Sequence, residues 1–257
     1  MKFSLKTLAA AVVMAAAAAS ANAAIDNGAG GNGELFFSAW DGQTSYSFDL
    51  NVSIDAFETS KNAAGLLNLS YGADFTSSFG DWVSTADTSK LEWNILATDT
   101  AGQRRILATV GAASLPATNK TNDVLRTAAG NIQTSIIAIN SLLTGNSAVT
   151  TSITAPSYAG VMSSFYPKFG FDTTGNLAND SYATGMVFEK TTANATGILP
   201  GVNTAYVDDT VAVRAWLGSD NTLHIAAAAV PEPSEYAMLL AGLGMIGFMA
   251  RRRGNRA

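Results

Sequence analysis

The stretch Tyr46-Ser47-Phe48-Asp49-Leu50-Asn51-Val52-Ser53-Ile54-Asp55 alternates without a miss, with Tyr46, Phe48, Leu50, Val52 and Ile54 on one side and polar residues on the other. Successive side chains of a β-strand point to opposite faces, so this period of two predicts a strand with one buried and one wet face. Leu67, Leu69 and Tyr71 repeat the device with Asn68 and Ser70 outside. Apolar runs at 91–98 and 104–110 flank Asp99-Thr100-Ala101-Gly102-Gln103, and runs at 210–217 and 223–228 flank Gly218-Ser219-Asp220-Asn221-Thr222. Apolar runs around a five-residue loop that contains Gly predict two hairpins. Short strands at this spacing predict a mainly β domain, an antiparallel β-sandwich or jelly-roll-like fold.

One segment follows another period. Leu125, Ala128, Ile132, Ile136, Ile139 and Leu143 fall three or four apart, which predicts one amphipathic helix over about 123–144 packed against the sheet. Asn122 is placed to cap its start and Gly145 to end it. Asp123, early in the first turn, suits the positive end of the helix dipole. The segment 26–33, rich in Gly and Asn, reads as a flexible leader, with order beginning near Glu34.

Both ends of the chain differ from this middle. Lys2 and Lys6 precede an apolar run of 12 residues, 8–19, and Ala21-Asn22-Ala23 places small residues at both recognition positions of a signal peptidase site. These features predict a signal peptide over 1–23, cut before Ala24. At the other end Val230-Pro231-Glu232-Pro233 precedes 15 uncharged, mostly apolar residues, 236–250, and then Arg251-Arg252-Arg253. A helix of that length reaches about 22 Å at ~1.5 Å per residue, shorter than a hydrocarbon core of roughly 30 Å. Spanning therefore needs thinning or snorkelling, and the arginines favour leaving that end in the cytoplasm.

A Pro-Glu-Pro triplet, a short Gly-containing apolar helix and a terminal arginine cluster, in that order at the C-terminus, resemble the PEP-CTERM sorting signal. The resemblance covers 230–256, about a tenth of the chain. It implies that an exosortase-type enzyme recognises Val230, Pro231, Glu232 and Pro233. It also implies a cytoplasmic basic anchor at Arg251, Arg252 and Arg253, an inner-membrane-anchored intermediate, and a cell-surface or exopolysaccharide-matrix destination. Within the same helix Gly242, Gly244 and Gly247 match G-x-G-x-x-G, but a dinucleotide loop must follow a strand and be succeeded by an acidic residue some twenty positions on. Ten residues remain after Gly247.

Between the two ends, 24–229 reads as one exported domain. Its nine basic and eighteen acidic residues leave a net charge near −9, which disfavours nucleic acid as a partner. Cys is absent, so disulfides and thiolate zinc sites are excluded, and His224 is the sole histidine, which excludes sites built on paired imidazoles within one chain. In Leu223-His224-Ile225 it falls on the face opposite the apolar pair, a surface strand position.

No catalytic, cofactor or metal constellation stands out. Asp208-Asp209 is the closest thing to a paired carboxylate, but strand neighbours point apart, and the Asp-x-Asn-x-Asp-Gly spacing of a calcium loop is missing. No G-x-S-x-G elbow surrounds any serine. Trp40, Trp82, Trp93 and Trp216, with the tyrosines, suit stacking on pyranose faces. Of these, Trp93 and Trp216 are expected in the core, and Trp40 and Tyr166 at the surface. Five Asn-x-Ser/Thr triplets begin at Asn51, Asn68, Asn119, Asn179 and Asn194. The expected function is a noncatalytic surface or matrix protein without a cofactor, the alternatives being a secreted polysaccharide hydrolase or a sugar-binding module.

Overall fold

The computed structural model of the chain describes residues 24–62, 68–102, 104–111, 121–163, 174–192, 202–205 and 213–227. The expected signal peptide, 1–23, with Ala21 and Ala23, the tail from Val230 onward, Asp208-Asp209 and Tyr166 lie outside the described residues.

Ten strands are described: β1 (Glu34–Trp40), β2 (Ser45–Ser53), β3 (Asn68–Tyr71), β4 (Glu92–Thr98), β5 (Arg105–Val110), β6 (Ser147–Thr150), β7 (Met186–Thr192), β8 (Val202–Ala205), β9 (Val213–Leu217) and β10 (Leu223–Ala227). With them go four α-helices: α1 (Ile54–Asn62), α2 (Ala73–Val83), α3 (Asn122–Asn140) and α4 (Ala159–Ser163). The fold is mainly antiparallel β. Both predicted hairpins form, β4 with β5 and β9 with β10. The described strands make one sheet rather than the two of a sandwich, in the order β3-β10-β9-β7-β5-β4-β1-β2-β6. β8 joins the C-terminal half of β7, whose first residues pair with β9.

Helices rather than a second sheet cover the two faces. On the inner face α2 presents Phe75, Phe79 and Trp82, spaced four and three apart and therefore on one side of the helix. Phe75 meets Phe37 edge-on at 5.1 Å and stacks on Phe79 at 5.2 Å, while Phe79 meets Tyr46 at 5.5 Å. Each such pair adds about 0.5–1.5 kcal/mol to its area burial. On the outer face the predicted stripe of α3, Leu125, Ala128, Ile132, Ile136 and Ile139, packs with Phe36, Leu96, Ile106 and Ala108. Strands buried on both faces read as continuous apolar runs, as Leu35-Phe36-Phe37 does.

The ends of α3 correct the capping expectation. Thr121, not Asn122, is the N-cap, and Asn122 is the first helical residue and fully buried. The helix stops at Asn140, and Gly145, at φ +63°, serves the turn leading into β6.

The leader is not flexible. Ile25 is buried in the outer core, and Asn140 grips its backbone from both sides, Oδ1 accepting from the Ile25 amide at 3.0 Å and Nδ2 donating to its carbonyl at 2.9 Å. Asp99 Oδ1 accepts from the amides of Asn32 and Gly33 at 2.6 and 2.8 Å. Gly28 and Gly33 lie so close to the Thr98 carbonyl that a Cβ would stand 1.9 and 2.1 Å from its oxygen. Glycine is thus demanded by close approach at both positions.

The long sheet curls. α2 touches both edge strands, β3 and β6. The Tyr71 hydroxyl donates to the Leu50 carbonyl at 2.9 Å, tying β3 to β2 across the gap.

Candidate functional site

The alternating run that predicted β2 contains a break invisible in its pattern. Leu35 pairs with Val52 but Phe36 pairs with Asp49, so Leu50 and Asn51 bulge out of the ladder, with Asn51 at φ +52°. Two extra residues preserve the alternation while bending the strand. The β2–β6 ladder runs from Ser45 to Phe48, and one further bond, from the Asp49 amide to the Asn146 carbonyl at 2.8 Å, extends it.

A cleft of about 770 Å³ occupies the seam between β2, β3, α1 and the start of α2. Phe48, Leu50, Val52, Leu69, Tyr71 and Phe75 supply its apolar wall. Asp49, Asp55 and Asp74 are the carboxylates among the described residues of the lining, and none of those described residues is Lys, Arg or His. Asp55 is already paired, its carboxylate 2.6 Å from Arg105 Nη1.

Asp49 is the unusual member. The sequence places it on the wet face, yet it is completely buried. Its Oδ1 accepts from the Asn51 amide at 2.8 Å, and its Oδ2 has no hydrogen-bond partner. Burial, with Glu34 adding a like charge, pushes its pKa up to about 7, the Asn51 amide only partly opposing the shift. Tyr71 is pushed upward as well, by burial first and then by Asp49.

Glu189 on β7 is a second buried carboxyl, neither oxygen partnered, and burial pushes it to about 7. It does not form a catalytic pair with Asp49, because four interstrand steps of about 4.8 Å separate them along the sheet, far beyond the roughly 5–9.5 Å of a glycosidase dyad. Beside the seam a charged network serves structure. Arg105 Nε donates to Asp99 Oδ2 at 2.6 Å, Nη1 lies 3.7 Å from Glu58 as well as contacting Asp55, and Lys190 pairs with Glu58. Burial opposes the Arg105 charge, and the Asp55 and Asp99 carboxylates more than offset it. Among the described residues no cluster of three or more His, Asp or Glu is arranged to hold a metal ion.

The aromatic expectations divide. Trp93 is fully buried, as expected, and its indole N–H donates to the Asn176 carbonyl. Trp40 is buried instead of exposed, its N–H donating to Glu92 at 2.8 Å. Trp216 is not in the core; it stands half-buried on the outer face of β9, stacked on His224 at 4.9 Å and edge-on to Tyr182 at 5.7 Å. His224 opposes the buried Leu223 and Ile225, as the alternation predicted. Asn179, which opens one of the triplets, donates its side-chain N–H to the Thr184 carbonyl at 2.6 Å.

The fold defines an antiparallel β domain of one curled sheet. The PEP-CTERM protein-sorting motif matches residues 229–253, spanning Val230-Pro231-Glu232-Pro233 and Arg251-Arg252-Arg253. This chain therefore carries the tail by which exosortase substrates are exported and sorted to the cell surface. No curated protein and no solved structure matches the chain. Among the described residues no helix is long and apolar enough to cross a membrane, and the expected tail helix, 236–250, lies outside them.

Proposed function

We propose that the chain is a noncatalytic protein of the cell surface or exopolysaccharide matrix, held at the inner membrane by its tail until an exosortase-type enzyme acts near Pro231-Glu232-Pro233. The motif match at 229–253 carries this reading. The wide separation of Asp49 and Glu189 supports a noncatalytic domain. Intact mass of the protein recovered from the surface or medium of its host, beside a Pro231→Ala/Pro233→Ala variant, tests it. Loss of the residues after the Pro-Glu-Pro region in the native chain alone supports the proposal; an uncut tail in both sinks it. Failure of the mature domain to pellet with extracellular polysaccharide removes the matrix destination.

A second reading, a sugar-binding module, is favoured by Trp216, His224 and Tyr182 gathered on one outer face. Such a surface stacks on pyranose rings. It predicts a tryptophan fluorescence change with oligosaccharide that Trp216→Ala abolishes, whereas an inert matrix protein gives none.

A further inference from the structure

We propose that the outer face of β9 binds an acidic saccharide, a uronate-bearing sugar whose ring lies in the corner between Trp216 and Tyr182 and whose carboxylate meets the Arg214 guanidinium. This rests on the sugar-binding reading given above and names the class of sugar.

The sheet makes the corner. Arg214 and Trp216 stand two residues apart on β9, so their side chains leave the same face about 7 Å apart. Among the described residues, the outer core beneath α3 takes none from β9 or β10, and both side chains keep part of their surface in solvent. His224 of β10 stacks on one side of the Trp216 indole, nearly parallel at 14°. The register that pairs Val187 with Arg214 and Met186 with Ala215 brings Gly185 opposite Trp216, so no β7 side chain fills the other side. Tyr182, from the turn before β7, stands there at 88° to the indole. Two rings at right angles offer an apolar wall and floor to the C–H side of a pyranose.

The charge at the foot of the corner selects the sugar. Arg214 Nη1 donates to the carbonyls of Ala183 and Gly185 at 3.1 and 3.2 Å, and the guanidinium carbon lies 5.6 Å from the centroid of the Tyr182 ring. These neutral contacts fix the guanidinium without cancelling its charge. Lys90, Arg105 and Lys190 each pair with a carboxylate, whereas Arg214 forms no salt bridge with a described carboxylate. The nearby acids serve their own turns: Asp180 accepts from the Thr184 hydroxyl at 3.1 Å and Asp220 from the Thr222 amide at 3.0 Å. A planar, weakly hydrated guanidinium matches a carboxylate, and a neutral sugar hydroxyl leaves its charge uncompensated.

Tryptophan fluorescence of the full-length protein, titrated with trigalacturonate and with its neutral methyl ester, tests the site, because Trp40, Trp82 and Trp93 are buried and Trp216 is the indole a ligand reaches. The acid is expected to bind at least about tenfold more tightly than the ester. Arg214→Gln should remove that difference and leave ester binding within about twofold of the native value, with thermal unfolding showing the variant folded. Arg214→Lys keeps the charge but loses the fork, so it should retain part of the preference, and it carries the test if Arg214→Gln does not fold. Equal binding of acid and ester within about twofold, or a preference undiminished in both variants, overturns the proposal while leaving the sugar-binding reading in place. No fluorescence change with either sugar at about 10 mM overturns both.

Discussion

Asp49 and Glu189 terminate one transverse row of the sheet: Glu189 pairs with Ala108, Ala108 with Leu96, Leu96 with Phe36, and Phe36 with Asp49. The three residues between them belong to the apolar layer beneath α3. Each carboxyl thus flanks that layer at one end, buried by the same packing that makes it costly to ionise.

The pH dependence of stability follows. Both groups titrate near 4 in the unfolded chain and at about 7 in the fold, so between those values the folded chain binds more protons than the unfolded one. Stability from this source is complete below about pH 4 and is lost as pH rises through 7, on the order of 3–4 kcal/mol for each group. Asp41 acts oppositely. Burial raises its pKa, but the amides of Thr44, Gln43 and Asp87 outweigh burial and hold it below its usual value, so its contribution disappears in acid. Urea unfolding should show a maximum near about pH 5 and a decline toward pH 8. Asp49→Asn and Glu189→Gln should each flatten that decline; an unchanged slope in both contradicts the assignment.

Asp99 joins the N-terminal segment to β5 through Asn32, Gly33 and Arg105. Asp99→Ala strands two backbone donors and one arm of a buried guanidinium, for a loss of roughly 3–5 kcal/mol. Hydrogen exchange should show faster exchange at the Asn32 and Gly33 amides, with α3 changed only through the global loss.

Gly28 and Gly42 both have positive φ, +71° and +87°, but a Cβ meets the Thr98 carbonyl at the first and nothing within 4 Å at the second. Gly42→Ala is expected to cost about 1 kcal/mol of backbone strain. Gly28→Ala must also displace backbone and should cost clearly more, read as the difference in denaturation midpoints.

On α3, Ile132 is 1% exposed and Ile137 55%. Ile132→Ala should lose about 2–5 kcal/mol and Ile137→Ala less than ~0.5 kcal/mol. Equal losses would place the wrong face of the helix on the sheet.

The legible parts were those with a local cause. The two Gly-containing hairpins and the stripe from Leu125 to Ile139 follow from spacing, and they stand where the spacing put them. Trp40 and Trp216 exchanged expectations because the level of a strand at which a ring meets its neighbours depends on which strands lie beside it. Glu92 across from Trp40 covers that indole, whereas Trp216 lies on the face where Leu223 and Ile225 are not. The leader misled for a similar reason: Gly28 and Gly33 read the same whether the chain is loose or pressed against Thr98.

By itself the sequence determined the PEP-CTERM tail, the exclusion of disulfide and paired-histidine chemistry, and the local periods that make strands and one helix. Each depends on residues close together in the chain. Tertiary structure alone decided that the strands join one curled sheet, that α2 and α3 cover its faces, and that Asp49 is dry. An alternating run states that a strand has two faces, but only long-range pairing and packing determine what covers each, and hence whether a carboxylate there meets water.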